Sequence, residues 1–222
     1  MSLLNINEYE NIFDYVNLSV ELIENQIKDY ELIFSNIKND SVEWKMKFPI
    51  FLNSFYKRIY ESKCVPKQSE FWDDYIRYNV RFFEKNNYSD NIMNALKARA
   101  YRAYPSLVRD LHFMHYVKEN LTQTKVIYNR KLDVNEGIDL LIVRNDLNYA
   151  INLFTATSRS FQGREKKEKR HKVYDNIKYI NLPVDFRGSY VCGKFFLYKE
   201  DEYGKLLNEL GEISQQSKHL VS

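Results

Sequence analysis

Two apolar runs joined by a short polar turn constrain this chain more than any other feature of it. Gly137-Ile138-Asp139-Leu140-Leu141-Ile142-Val143 leads into Arg144-Asn145-Asp146-Leu147-Asn148, and Tyr149-Ala150-Ile151-Asn152-Leu153-Phe154-Thr155 follows. Apolar runs bounded by turn-forming residues read as two strands of a hairpin. An acidic residue opens the first strand and an amide interrupts the second. A turn centred on Asn145-Asp146 sets Asp139 opposite Asn152, whereas a longer loop sets Asp139 opposite Phe154. Both registers remain open at this stage.

The rest of the C-terminal half reads as further strand and helix. Lys125–Asn129 precedes the hairpin as a strand, and Ile177–Leu182 and Lys194–Tyr198 follow it. The run Phe161–Lys172 fits between strands as a helix, and Tyr203–Ile213 reads as a last one. The N-terminal half reads as helix throughout. Tyr9, Phe13, Val16, Val20, Ile23, Ile27, Tyr30, Phe34 and Ile37 alternate in fours and threes, a heptad stripe over about four heptads. Such a stripe packs within the chain or forms a homodimer or partner seam. A second helix is expected from Ser41 to Ile59, with Pro49 kinking it or resetting its start. A third covers Phe71–Phe83, a fourth starts at Ser89-Asp90, and Pro105-Ser106 begins a fifth. The expected fold class is α+β, with a helical region over 1–104 and a small mixed sheet flanked by helices over 105–222.

Composition narrows the classes. A hydrophobic fraction of 44% with only six glycines and four prolines fits a folded chain of 222 residues and excludes a low-complexity one. The net charge of +3 permits nucleic-acid binding without demanding it. Cys64 and Cys192 stand far apart with no Cys-x-x-Cys or Cys/His grouping, which argues against structural zinc and for two free thiols. No run approaches the roughly 18 apolar residues of a membrane span, and the N-terminus lacks signal-peptide character. A soluble cytoplasmic protein is expected.

Hard divalent cations take oxygen ligands, and Mg²⁺ uses one or two carboxylates with water and phosphate oxygens. In the first register Asp139 and Asn152 bring two such oxygens together. After the third strand, Thr155-Ala156-Thr157-Ser158-Arg159-Ser160 offers hydroxyls, backbone N–H groups and a guanidinium that can converge on a phosphate. Arg164, Lys167 and His171 lie about one helical turn apart, as do Lys166 and Arg170, with Lys172 closing the basic run.

Between Ser106 and Leu197 the order is a helix, a meander with Gly-Ile-Asp-Leu-Leu-Ile on its second strand, a third strand and a further helix. This order resembles the PD-(D/E)XK restriction-endonuclease-like superfamily over less than half the chain. The resemblance implies that Asp139 occupies the metal-ligand position and that Mg²⁺ is the cofactor. Asp110 or Glu119 of the preceding helix would assist. The family places Glu or Asp, one spacer and Lys on the third strand, and this chain has Asn152-Leu153-Phe154 there. Asn152 would then be a neutral ligand, with the cation supplied by Arg159, Lys166 or Lys167. Ser158, Arg159, Ser160, Arg164, Lys167, Arg170 and Lys172 would contact nucleic acid, DNA before RNA. The implied activity is Mg²⁺-dependent hydrolysis of DNA phosphodiesters, in host defence or a mobile element.

Plainer readings stand beside these. Asp139 terminates a hairpin, Asn152 faces solvent on an edge strand, and the basic helix is a solvated face laced by Glu165 and Glu168. His112 and His115, three apart on one helix face, have the spacing of a metal pair but no third ligand in view. Tyr101, Tyr104 and Tyr116 read as packing rather than as base-stacking platforms. Two alternative functions follow: a non-catalytic nucleic-acid-binding or assembly subunit on a degenerate nuclease fold, and a protein-binding inhibitor or anti-defence factor.

Overall fold

A computed structural model of the chain describes residues 2–155, 172–184 and 189–211. It is α+β. The helices are α1 (Val20–Ile27), α2 (Phe51–Ser62), α3 (Gln68–Tyr78), α4 (Val80–Asn86), α5 (Asp90–Asn120) and α6 (Glu200–Leu210). The strands are β1 (Lys125–Ile127), β2 (Leu140–Arg144), β3 (Leu147–Thr155), β4 (Lys178–Val184), β5 (Tyr190–Cys192) and β6 (Phe195–Leu197). Backbone contacts divide the chain into two compact units. One comprises Met1–Tyr15, Phe113–Tyr190 and Leu197–Ser222; the other comprises Val16–His112 and Val191–Phe196.

The first unit holds a four-stranded sheet in the order β1-β2-β3-β4. The first three strands form an antiparallel meander, and β4 runs parallel to β3. Asn145 and Asp146 join β2 to β3 with φ of 48° and 61°. Two residues at positive φ make the tight hairpin turn whose twist matches that of the flanking strands, and Asn and Asp are residues that tolerate it. The turn pairs Arg144 with Leu147 and carries the register inward to Leu140 opposite Ile151. One sheet face packs Ile127, Leu141 and Ala150 with Leu132, Ile138, Tyr174 and Ile177. Leu4 completes that core. The N-terminal segment is tied down by its backbone: Asp175 N–H donates to Ser2 O at 2.9 Å, and the Asn176 side chain brackets Leu4 N–H and C=O at 2.9 and 3.0 Å.

The second unit is built on an aromatic core of Phe55, Phe71, Tyr75 and Tyr104, all fully buried. Phe55 meets Phe71 edge-on at 5.9 Å, an arrangement worth about 0.5–1.5 kcal/mol beyond burial. The buried hydroxyls find carbonyls, Tyr75 donating to Pro49 O at 2.9 Å and Tyr104 to Pro66 O at 2.5 Å. Gly193, at φ 56° in the β5–β6 turn, lies so close to the Lys28 carbonyl that any Cβ would overlap it. Neither Cys64 nor Cys192 is joined in a disulfide. Among the described residues no helix is long and apolar enough to cross a membrane.

Four expectations for the N-terminal half are corrected. The heptad stripe does not form one helix. Only Val20–Ile27 is α-helical, capped by the Ser19 hydroxyl accepting from Leu22 N–H. Upstream, Asn11 is drawn to the strand β1: its side chain accepts from Tyr128 N–H and donates to Val126 O, and Ile12 N–H donates to Tyr128 O. Downstream, the Gln68 side chain accepts from Ile33 N–H at 2.7 Å and donates to Ile33 O at 3.2 Å, holding that backbone out of a helix. The stripe is thereby divided, with Phe13, Ile23 and Ile27 buried but Phe34 71% and Ile37 53% exposed. A dimer seam along a continuous helix has no helix to run on.

The expected helix from Ser41 to Ile59 is also two pieces. A wide turn at Ser41–Lys45 gives way to extended chain before α2 starts at Phe51, so Pro49 resets the start. Asn79 likewise divides the third expected helix into α3 and α4, its side chain donating back to Tyr75 O.

Pro105 does not begin a helix either; it lies inside α5. Proline has no N–H, so the carbonyl four residues earlier, Tyr101 O, loses its helical donor. Gln68, 2% exposed, supplies one: its Nε2 donates to Tyr101 O at 3.0 Å. One glutamine therefore satisfies the orphan carbonyl of a proline-bearing helix and both backbone groups of Ile33. Leaving the buried Tyr101 O unpaired costs about 1–3 kcal/mol, and the part-buried backbone groups of Ile33 cost less. Gln68→Leu is expected to lower stability by about 2–4 kcal/mol in urea denaturation. Pro105→Ala in the same chain should recover part of that loss, because Tyr101 O regains an N–H. Strictly additive effects of the two substitutions would exclude the shared carbonyl as their link.

Candidate functional site

The turn at Leu132–Glu136 closes on Gly137, which takes φ 72°, and Ile138 N–H returns to Leu132 O at 3.0 Å. The left-handed backbone suits glycine, and it delivers Ile138 to the core and Asp139 to the start of β2. The β2–β3 pairing ends at Leu140↔Ile151, and Asp139, a bend just before β2, donates its N–H to Ile151 O rather than to Asn152. The turn is centred on Asn145-Asp146, as in the first of the two registers left open by the sequence. The β3–β4 register pairs Asn152 with Asn181. Directly paired residues point to the same face of a sheet, so Asn152 and Asn181 form a polar row across β3 and β4, which Asp139 flanks at the start of β2 through its bond to Leu153. The row lies on the same face as Leu141 and Ala150, at the end of the apolar core.

Each of these residues is held differently. Asp139 is half-buried, its N–H donates to Ile151 O at 3.1 Å, and its Oδ2 accepts from Leu153 N–H at 2.7 Å. The carboxylate thus terminates the β2–β3 ladder by accepting an N–H that has run out of strand. Asn152 is fully buried, and its Nδ2 donates to Asn181 Oδ1 at 3.3 Å. Its Oδ1 is sealed from solvent and accepts no hydrogen bond. Asn181 is exposed. The reading of Asn152 as a solvent-facing edge residue is therefore corrected: β4 covers that side of β3.

Beside the row, Glu136 accepts from the Tyr174 hydroxyl at 2.6 Å, and Tyr174 N–H donates to the Tyr179 hydroxyl at 3.1 Å. The bond to Glu136, reinforced by burial, pushes the Tyr174 hydroxyl well above its ordinary range. Burial and the same carboxylate raise Tyr9.

The remaining sequence candidates do not join this row. Asp110 is half-buried on α5 and belongs to the helical unit. Glu119 is exposed near the end of α5. His112, fully buried, places Nε2 2.9 Å from Glu24 Oε1, and His115 sets its ring edge-on to Phe13 at 4.8 Å. The two histidines spend themselves on different neighbours. Arg109 donates from Nε to Phe196 O at 3.0 Å. Tyr101 and Tyr104 are buried, and Tyr116 packs against Tyr203 at 5.6 Å. Among the described residues, no group of three or more His, Cys, Asp and Glu side chains could hold a metal. Phe154, in the lysine position of the expected motif, is half-buried. Ser158, Arg159, Ser160, Arg164, Lys166, Lys167 and Arg170 lie outside the described residues. Lys172 is exposed, with Nζ 5.3 Å from the centre of the Tyr174 ring.

Asn181 is the residue the sequence reading missed. Its signal was present: Ile180-Asn181-Leu182 repeats Ile151-Asn152-Leu153, an amide inside an apolar strand. For a cation, this end of the sheet offers the Asp139 carboxylate and the buried Asn152 oxygen, whose want of a donor fits a hard Lewis acid. No protein-family model, curated protein or solved structure matches this chain.

Two measurements test these contacts. Asn152→Leu removes a buried unpaired oxygen together with one 3.3 Å bond to Asn181, so stability is expected to hold or to rise by up to about 2 kcal/mol. A loss larger than that would mean that the amide oxygen is satisfied in solution. A tyrosine whose folded hydroxyl resists ionisation contributes stability that is fully present below the unfolded value near 10 and is lost as pH rises above it. Wild-type stability should therefore fall more steeply than that of Tyr174→Phe between pH 9.5 and about 11.5, by denaturant melts at each pH. Parallel curves would remove Tyr174 as a source of that dependence.

Proposed function

We propose that this chain is a divergent Mg²⁺-dependent nuclease acting on DNA, with the sheet as a restriction-endonuclease-like core. The observation that carries this reading is the buried amide oxygen of Asn152 with no donor, on the strand whose Leu153 N–H is bound by the Asp139 carboxylate. The strand order supports it, since an antiparallel meander followed by a strand parallel to the third is compatible with the order expected from the sequence resemblance.

On this reading Asp139 and Asn152 hold the cation, which when bound activates water and stabilises charge at phosphorus. Asp139 is oriented by Leu153 N–H, which fixes one carboxylate oxygen against the β3 backbone. Arg159, Lys166 or Lys167 supplies the positive charge that Phe154 cannot. The basic run from Arg164 to Lys172 holds the phosphate backbone, a contact that weakens steeply with salt.

A second reading is favoured by the amides themselves. With Asn152 and Phe154 where a carboxylate and a lysine are expected, the same face can serve as a non-catalytic grip on nucleic acid. Labelled duplex DNA incubated with Mg²⁺, Mn²⁺ or EDTA separates the two. The nuclease reading expects metal-dependent cleavage that falls at least about 100-fold in Asp139→Ala. It also expects Asn152→Asp to cleave at lower Mg²⁺, because a second charged oxygen joins the site. Salt-sensitive binding without cleavage, unchanged by Asp139→Ala, would replace it with the non-catalytic one. Absence of binding at low salt would remove nucleic acid from both.

A further inference from the structure

We propose that a cavity in the helical unit binds a small aliphatic carboxylate, its chain against the apolar wall and its head group on Arg99. The cavity measures about 550 Å³, within the range of small-molecule sites. Residues 46–52, the extended chain that leads into α2 and the first residues of that helix, line one side. Arg99, Ala103 and Leu107 line the other from one stripe of α5, four residues apart. Every lining side chain is apolar except those of Lys47 and Arg99, and none is acidic. All of these residues belong to one compact unit, so the site owes nothing to the sheet or to the proposed metal chemistry.

The charge of the wall is uncompensated. Arg99 is half-buried, and its Nη1 donates to Val42 O at 2.5 Å. That bond uses one of five guanidinium N–H donors. Among the described residues neither Arg99 nor Lys47 meets a carboxylate. Glu43, four positions before Lys47, pairs with Arg102 instead. The place of the guanidinium follows from Tyr75, whose hydroxyl donates to the carbonyl of Pro49 in the cavity wall at 2.9 Å. Burial pushes that hydroxyl well above its ordinary range, and the Arg99 charge opposes the rise, so the charge is felt at the Pro49 side of the cavity. A cation beside an apolar wall suits a ligand that joins a negative head to an apolar body. A bare inorganic anion would leave the wall unused, and a neutral hydrocarbon would leave the cation unpaired. The two rings of the wall already pack on neighbours, Phe51 on Tyr75 at 4.8 Å and Phe48 on Tyr88 at 5.3 Å. The rest of the apolar wall is aliphatic, which suits an alkyl chain.

Decanoate and decanol share a chain and differ in charge, so the test titrates each into the full chain by calorimetry, with thermal melts on every variant. Wild type is expected to bind one decanoate per chain, at least about tenfold more tightly than decanol, the scale of one charge-assisted hydrogen bond. Arg99→Gln should weaken decanoate about tenfold or more and leave decanol within about twofold. Lys47 is exposed, and Lys47→Gln should weaken decanoate by no more than about threefold. Ala103→Phe, which fills the cavity, should abolish binding of both. Equal affinity of wild type for the two ligands overturns the proposal, as does undetectable binding of decanoate. Decanoate binding that survives Ala103→Phe unchanged also overturns it, because the ligand would then sit elsewhere. Should Arg99→Gln fail to melt cooperatively, the wild-type comparison and Ala103→Phe together decide.

Discussion

The two-residue turn at Asn145-Asp146 is the constraint on which the candidate site depends. Strand side chains alternate, so a slip of one residue moves every side chain to the opposite face. Asn145 and Asp146 at φ 48° and 61° leave no slack, and Arg144 meets Leu147 at once. Everything inward follows by counting: Leu141 and Ala150 go to the core, and the pairing runs to Leu140 opposite Ile151, with Asp139 and Asn152 just beyond it. The parallel pairing of β4 then adds Asn181 to the same row. A loop longer by two residues would have matched the carboxylate with Phe154, an aromatic ring that offers a cation no oxygen.

The sheet was legible in the sequence because its determinants are local. Apolar runs, turn formers and a period of two residues are properties of short windows, and all five expected strands lie where they were read, with their ends adjusted. The pair β5–β6 was half missed because Tyr190-Val191-Cys192 is too short to stand out from its surroundings. The site was legible only in part. Asp139 and Asn152 were visible as polar breaks in apolar strands, but their placement needed the turn conformation. Asn181 needed the crossover that makes β4 parallel to β3, which no local pattern encodes. The basic segment that carried most of the expected phosphate contacts lies outside the described residues.

The helical half was harder to read because its decisive contacts are long-range and made by amides. The heptad spacing from Tyr9 to Ile37 is real, yet periodicity reports only that apolar residues could share a face. It does not report that Asn11 will bond to Val126 and Tyr128, or that Gln68 will clasp Ile33. Pro105 misled for the same reason. A proline in a helix is costly because it orphans a carbonyl, and the cost falls when another side chain donates to it. Gln68, 37 positions away in sequence order, does so.

The amides of the polar row follow a related logic. Asn152 sits at zero exposure, where an uncompensated carboxylate would be strongly disfavoured and would hold its proton. An amide of the same shape costs far less to bury, and half of it is satisfied by Asn181. A sheet with asparagine there can fold without a cation, whereas one with a carboxylate would depend on the cation to neutralise it.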